Sequence, residues 1–292
     1  MLVPFAVVTL IWGSTWFVIR DQVANVPVSW SVTYRFLVAG TGMAILALIR
    51  RERLTLDARG WAFAAAIGVT QFVLNFNFVY RAEEHITSGV VAVVFALLLV
   101  PNAILARLFL GQRMGVQLIA GSAVAMAGIV LLFLHEARLS PGGPQQALLG
   151  IGLTLTAVMS ASVSNVLQAT ETAKRYPMIP TLAAAMLIGA AIDAVIAFAL
   201  SGPPVIDPRL EYIGGTLYLG LLGSTLTFPL YYGVVRAIGP ARAAYSSVII
   251  PVIAMLISTL LEGYRWTPLA VTGAALAGTG LVVALRARKP AR

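Results

Sequence analysis

Apolar runs, each near the roughly 20 residues a helix needs to cross a hydrocarbon layer, alternate with short polar connectors along the whole chain. Ten runs can be placed: Leu2 to Ile19, Ser29 to Ile49, Gly60 to Tyr80, Ser88 to Phe109, Val116 to Leu134, Ala147 to Gln168, Pro180 to Leu200, Tyr212 to Val235, Ala241 to Leu261 and Pro268 to Leu285. The connectors carry charge or turn residues, as in Arg50-Arg51-Glu52-Arg53, Pro141-Gly142-Gly143-Pro144 and Gly202-Pro203-Pro204. A membrane β-barrel would need alternating strands of about 10 residues, whereas these runs are continuous in Ala, Leu, Val and Gly. The pattern predicts an all-α integral membrane protein with ten transmembrane helices and no room for a soluble domain. The first run has no basic leader or small-residue cleavage signal and is expected to be retained as a span.

Composition agrees. Hydrophobic residues make up 59% of the 292 and charged ones only 11%, against about 45–50% and 25% in soluble domains. There is no cysteine, and His85 and His135 are the only histidines. This excludes disulfides, thiolate nucleophiles and Cys/His zinc sites. No Gly-x4-Gly-Lys-Ser/Thr sequence occurs, so ATP is not expected as the energy source, and no cofactor is expected.

The net charge of +9 is explained by topology. With the N-terminus in the cytoplasm, 14 basic residues fall on the cytoplasmic side, among them Arg50, Arg51, Arg53, Arg59, Arg107, Arg113, Lys174, Arg175, Arg236 and Arg242, and the tail Arg286 to Arg292. Five fall opposite, Arg20, Arg81, Arg138, Arg209 and Arg265, and Arg35 lies within a span. Cytoplasmic N- and C-termini follow from the positive-inside rule, and a nucleic-acid partner is not expected.

The second half echoes the first at an offset of 150 to 152 residues. Pro101 matches Pro251, Tyr80 matches Tyr232, Ile86 matches Ile238, Gly111-Gln112-Arg113 matches Gly263-Tyr264-Arg265, and Gly121 with Gly128 matches Gly273 with Gly280. Five spans per half is odd, so the second half must enter from the other side. The expectation is two inverted five-helix repeats, residues 1–140 and 145–292, in one membrane domain, an architecture that suits alternating access.

Trp12-Gly13-Ser14, Tyr34-Arg35-Phe36 with Ala39, Leu110-Gly111-Gln112-Arg113, and the Gly-x6-Gly of the fifth and tenth spans resemble the EamA group of the drug/metabolite transporter superfamily. The resemblance covers the whole chain and, within the group, is to YddG-type exporters of aromatic and other amino acids. It implies ten helices in two halves and a small-metabolite substrate. Gly111-Gln112-Arg113 stands where the family often has Gly-Glu-Arg, and the second half lacks the Trp-Gly of its first helix.

Polar groups in hydrocarbon are costly and usually face a bundle interior or a wet cavity. At helical spacing Gln71, Asn75 and Phe78 share one face, with Phe72, Phe76 and Tyr80 adjoining and Asn77 pointing elsewhere. Amides beside rings suit a small ligand with a charged backbone and an apolar side chain, or else join packed helices. Trp12 and Trp16 are either stacking surfaces of a cavity or core filling. Ser160, Ser164 and Gln168 form a stripe, with Ser164 either binding or packing and Gln168 near the wet interface. Tyr231, Tyr232, Tyr245 and Trp30 are expected as interface anchors. Pro101 and Pro251 are candidate hinges, or static bends. Asp193 is the one candidate proton carrier, Arg35 is expected to snorkel or meet a carbonyl, and Glu83, Glu84 and His85 are expected in a solvated loop.

The function expected is a secondary transporter of the bacterial cytoplasmic membrane. It exports amino acids, aromatic and other neutral ones favoured, or similar small metabolites, with a multidrug or nucleotide-related exporter as the alternative. An enzyme would need convergent nucleophiles, bases or metal ligands in the spans, and these are missing. The expected partners are a small-molecule substrate and the lipid bilayer, and a monomer is favoured over a homodimer.

Overall fold

A hydrocarbon surround leaves the backbone no partner but itself, and a computed structural model of the chain is helical throughout, with no strand among the described residues 2–112, 116–139, 143–243 and 246–285. Arg113, Tyr245 and Arg286 to Arg292 lie outside them. The long helices are α1 (Leu2–Val23), α2 (Val28–Ile49), α3 (Ala58–Glu83), α4 (Ser88–Leu110), α5 (Val116–Leu139), α6 (Gly143–Gln168), α7 (Met178–Ser201), α8 (Leu210–Ile238), α9 (Ser246–Leu261) and α10 (Pro268–Leu285). Six of them, α2, α3, α4, α6, α7 and α8, are long and apolar enough to cross a membrane. Shorter apolar segments, Ile119–His135, Ile249–Leu261 and Pro268–Val283, lie in α5, α9 and α10. The outer faces expose side chains such as Leu48, Leu108, Phe109, Val195 and Leu260, which suits lipid and not water.

Two helix pairs frame the bundle, α2 with α7 and α5 with α10. In the second, the glycines sit where backbones touch. A Cβ on Gly128 would lie 2.4 Å from the Ala277 nitrogen, and one on Gly280 would lie 2.2 Å from the Ala125 nitrogen and 2.5 Å from the Gly121 carbonyl oxygen. Gly273 in turn meets the Gly128 carbonyl. Gly121 facing Gly280 while Gly128 faces Gly273 makes the crossing antiparallel. Small residues permit this approach, and dispersion over the contact replaces the missing hydrophobic drive in lipid.

Helix irregularities recur at the same offset as the sequence matches. α2 and α7 both start after a proline, Pro27 and Pro177, whose fixed φ and missing N–H suit a helix entry. The Gly111 and Gly263 that end α4 and α9 take positive φ, 66° and 69°, a conformation glycine adopts without strain. Within α3 the residues Gly68–Asn75, and within α8 the residues Tyr218–Leu226, are wound as π-helix. The hydroxyls of Ser224 and Thr225 donate to the carbonyls of Leu219 and Gly220, five residues back, at 2.8 and 3.1 Å. In α4 a 3₁₀ turn, Ala96–Leu98, precedes Pro101. Pro101 has no N–H to give the Leu97 carbonyl, so the regular ladder is interrupted there.

The connectors gather at two ends. At one, Asp57 caps α3 by accepting from the Gly60 N–H at 2.7 Å and takes the Tyr176 hydroxyl at 2.8 Å. At the other, Arg209 bridges Asp207 and Asp21 at 2.8 and 3.4 Å, and Arg20 donates to the Glu83 carbonyl.

Gly280→Ala is expected to destabilise the bundle by about 1–3 kcal/mol through overpacking. Gly152→Ala, which meets nothing within 4 Å, should be neutral or slightly stabilising, as thermal unfolding in detergent will show. The Gly60 and Tyr176 bonds hold the Asp57 carboxyl below its usual value of 3.8. The stability it adds is therefore complete above the ordinary carboxylate range and is lost as pH falls through its lower folded value. Amide exchange at Gly60 should accelerate over that acid window in the native chain and be pH-flat, after correction for intrinsic exchange, in Asp57→Ala.

Candidate functional site

Six helices line a cavity of about 80 Å³, counted as the space open to the centres of water molecules, enough for several waters or a small organic molecule. From α1 it is lined by Trp12, Thr15, Trp16 and Ile19, one helical stripe at i, i+3, i+4 and i+7. α3 supplies Gln71, Asn75, Phe76 and Val79, α4 supplies Ala92, Phe95, Ala96 and Leu98, α8 supplies Phe228 and Tyr231, α9 supplies Ile250 and Pro251, and α2 supplies Arg35. The rings hold one another. Trp12 lies 5.4 Å from Phe228 and 5.0 Å from Tyr231, and Trp16 lies 5.5 Å from Phe95. The Trp12 indole N–H donates to the Gly223 carbonyl at 3.1 Å and the Thr227 hydroxyl at 2.9 Å, so the π-wound stretch of α8 orients it. Two buried polar atoms of the lining have no hydrogen-bond partner, the donor Trp16 Nε1 and the acceptor Asn75 Oδ1.

Gln71, Asn75, Trp12, Trp16 and Pro251 are thus brought together, whereas other residues singled out in the sequence stand elsewhere. Phe78 does not share the face of Gln71 and Asn75. A regular helix would carry that stripe on to it, but the π winding through Asn75 shifts the register, and Phe76 and Val79 face the cavity instead. Phe78 packs half-buried against the core. Tyr80 is buried just beyond the cavity, where its hydroxyl accepts from Arg35 and donates to Gln22, both at 3.4 Å. Ser164 pairs with the Tyr232 hydroxyl at 2.9 Å, outside the lining. Pro101 is buried in α4 without reaching the cavity.

Asp193 lies away from the cavity in a polar chain joining three helices. Arg81 donates to Ser29 at 3.1 Å, Ser29 to Asn77 Oδ1 at 2.9 Å, and Asn77 Nδ2 to Asp193 Oδ1 at 2.7 Å.

Several expectations are corrected. Of the two readings of Arg35, snorkelling is set aside, since it is 1% exposed, and a carbonyl partner is found. It donates to Ser224 Oγ at 3.2 Å and the Gly223 carbonyl at 3.5 Å, and its guanidinium lies 4.3 Å from the Phe76 ring centroid. Tyr231 and Tyr232 are buried inside the bundle and not at an interface, because Asn165 and Ser164 supply partners for their hydroxyls. Trp30 is likewise buried and donates to the Gly202 carbonyl at 3.3 Å. Gln168 is fully buried, its oxygen gripped by Arg236 at 2.9 and 3.0 Å. Glu83 is no loop residue, since α3 continues through it and buries it completely, with neither carboxylate oxygen hydrogen-bonded.

Reading the sequence missed Arg35, Thr15, Ile19, Val79, Phe95, Phe228 and Tyr231 as lining. Thr15 and Ile19 were within reach of the stripe that begins at Trp12. Phe228 and Tyr231 were hidden by the π winding of α8 and by tertiary packing.

Hydrogen-bonded side chains continue from the lining: Tyr231 meets Asn165, which reaches Asn102 at 3.3 Å, and Tyr80 and Gln22 lead to Thr216 at 2.8 Å.

The likeness to known proteins is whole-length. Protein PagO of Salmonella typhimurium is 25% identical over 263 residues, covering 89% of this chain and 84% of that one. The uncharacterized inner membrane transporter YedA of Escherichia coli is 28% identical over 257 residues, 87% and 80%. A probable terminal-alkyne amino-acid exporter of Streptantibioticus cattleyicolor is 27% identical over 275 residues, 93% and 89%. A crystal structure of a protein 18% identical superposes with a TM-score of 0.72 over 99% of this chain and 98% of that one, which establishes a shared fold. The profile of the EamA-like transporter family matches twice, over residues 2–134 and 148–286. This polytopic membrane protein therefore belongs to the EamA-like transporter family.

Proposed function

We propose that the chain is a secondary transporter exporting amino acids, aromatic and other neutral ones favoured, or similar small metabolites across a bacterial inner membrane by alternating access. The observation that carries this reading is the cavity within the bundle, lined by helices from both halves with amides, rings and, among the described lining residues, a single cation. Ten crossings in two inverted repeats, residues 1–140 and 145–292, with both termini cytoplasmic, form part of the proposal. The repeated family match, the paired π segments and the antiparallel Gly crossing of α5 with α10 support it. The names of two relatives, an inner membrane transporter and a probable amino-acid exporter, point the same way, as does the narrower resemblance to YddG-type exporters.

In this reading Gln71, Asn75, Trp12 and Trp16 hold the substrate, and Pro101 and Pro251, at matching places in α4 and α9, are the bends about which the halves rock. Phe78, Tyr80 and Ser164 act behind the lining. Asp193, held through one oxygen at the end of the chain from Arg81, is read as structural and not as the proton carrier, with movement down a gradient and with the monomer as the working unit. The alternative of a nucleotide-related exporter is disfavoured by a cavity with one guanidinium, and cationic drugs by the lack of any acid among its described lining residues.

Uptake into proteoliposomes of labelled amino acids, sugars and cationic drugs, with and without a pH gradient, tests the proposal; amino-acid accumulation above empty vesicles is expected, and its absence refutes the reading. Gln71→Ala and Asn75→Ala should each lower kcat/KM about tenfold, the worth of one lost hydrogen bond in a dry site. Unchanged kinetics in both would remove α3 from the site. Asp193→Asn should leave any pH-driven component intact, and its loss would restore Asp193 as a proton carrier.

A further inference from the structure

A charge inside a protein is normally met by an opposite charge, because desolvation penalises it otherwise. Arg35 has no such partner in contact. It is the one charged side chain bordering the cavity, it is 1% exposed, and none of the ion pairs among the described residues includes it. Its three acceptors, Ser224 Oγ, the Tyr80 hydroxyl and the Gly223 carbonyl, are neutral and stand 3.2 to 3.5 Å away. Buried Glu83 acts on it through space but makes no hydrogen bond or ion pair with it. A guanidinium carries five N–H groups, so one on each Nη has no acceptor of its own. Two such donors on adjacent nitrogens match the two oxygens of a carboxylate. The Phe76 ring, 4.3 Å from the guanidinium carbon, and Ser224 fix its plane.

Among the described lining residues no Asp or Glu stands to receive an ammonium group. An amine would find the unpartnered Asn75 Oδ1 and the faces of Trp12 and Tyr231, all neutral. The unpartnered Trp16 Nε1 is a donor, again suited to an anion.

We propose that Arg35 is the carboxylate subsite of the cavity, and that the ligand class is a small monocarboxylate with an apolar or aromatic body whose amino group is dispensable. The inference rests on reading the cavity as the substrate site, and it narrows what that site selects. Recognition is then asymmetric, a charge pair at the carboxylate end and neutral contacts at the amine end. Deaminated acids are carried alongside amino acids, and amines without a carboxylate are rejected.

The test uses purified protein and four probes, phenylalanine, 3-phenylpropanoate, phenylalaninamide and phenethylamine, with binding read by quenching of tryptophan fluorescence and transport by counterflow in proteoliposomes. 3-Phenylpropanoate should bind within roughly tenfold of phenylalanine, and the two probes lacking a carboxylate more than roughly tenfold weaker. In Arg35→Gln the preference for phenylalanine over phenylalaninamide should shrink to about threefold or less, with Arg35→Lys intermediate because a point charge cannot bind bidentately. Asn75→Ala should weaken phenylalanine more than 3-phenylpropanoate. Phenethylamine binding as tightly as phenylalanine, an undiminished preference in an Arg35→Gln protein that unfolds at a normal temperature, or no binding of any probe would each overturn the proposal. If Arg35→Gln does not fold, the four probes on the native chain decide alone. Binding with the expected preference but no counterflow refutes the transport reading and leaves the subsite standing.

Discussion

In hydrocarbon no water is available to a backbone amide or a polar side chain, and an unmet group costs several kcal/mol. That constraint makes the whole chain helical, and it turns each buried polar atom into a question with a structural answer. Many are answered by neighbours: the Gln168 oxygen by Arg236, one Asp193 oxygen by Asn77, Ser164 by Tyr232. Of the buried polar atoms left without a partner, Asn75 Oδ1 and Trp16 Nε1 line the cavity, where Arg35 also stands without an ion pair, while others, such as both Glu83 oxygens, lie outside it.

The same constraint shapes how such a site can be reached. Neutral hydrogen-bonded side chains adjoin the cavity, Tyr231 with Asn165 and Asn102, and Tyr80 with Gln22 and Thr216, at ordinary or long distances. Several of the helices that line it are interrupted, α3 and α8 by π winding, α4 by its 3₁₀ turn and Pro101, α9 by Pro251. The pairs α2 with α7 and α5 with α10 are tight by contrast, with α5 on α10 glycine to backbone. Firm frames around bent cores are what rocking of two halves needs.

The helical architecture was legible because it depends on composition and span length, which are local. Gly121, Gly128 and the glycines 152 residues on stood out in the sequence, and the structure places them in the contact of α5 with α10, where a close crossing favours glycine. Trp12, Trp16, Gln71 and Asn75 could be found because ring and amide residues stand out in an apolar run. Phe78 went wrong because periodicity assumes 3.6 residues per turn and α3 does not keep it. Glu83 went wrong for another reason, and for Arg35 the choice between snorkelling and a carbonyl partner stayed open. A charge near a span end reads as wet, and only tertiary packing shows that Phe76 and Tyr80 cover Arg35 and that α3 extends far enough to bury Glu83.

The central claim is that the cavity is exposed in turn to the two membrane faces. Because the chain has no cysteine, a single Thr15→Cys places one thiol in the cavity wall with no background. Labelling it with a membrane-impermeant thiol reagent from each side of oriented vesicles is the most direct measurement. The account predicts reaction from both sides, with saturating substrate protecting the thiol from each. Reaction confined to one face, with and without substrate, would contradict it.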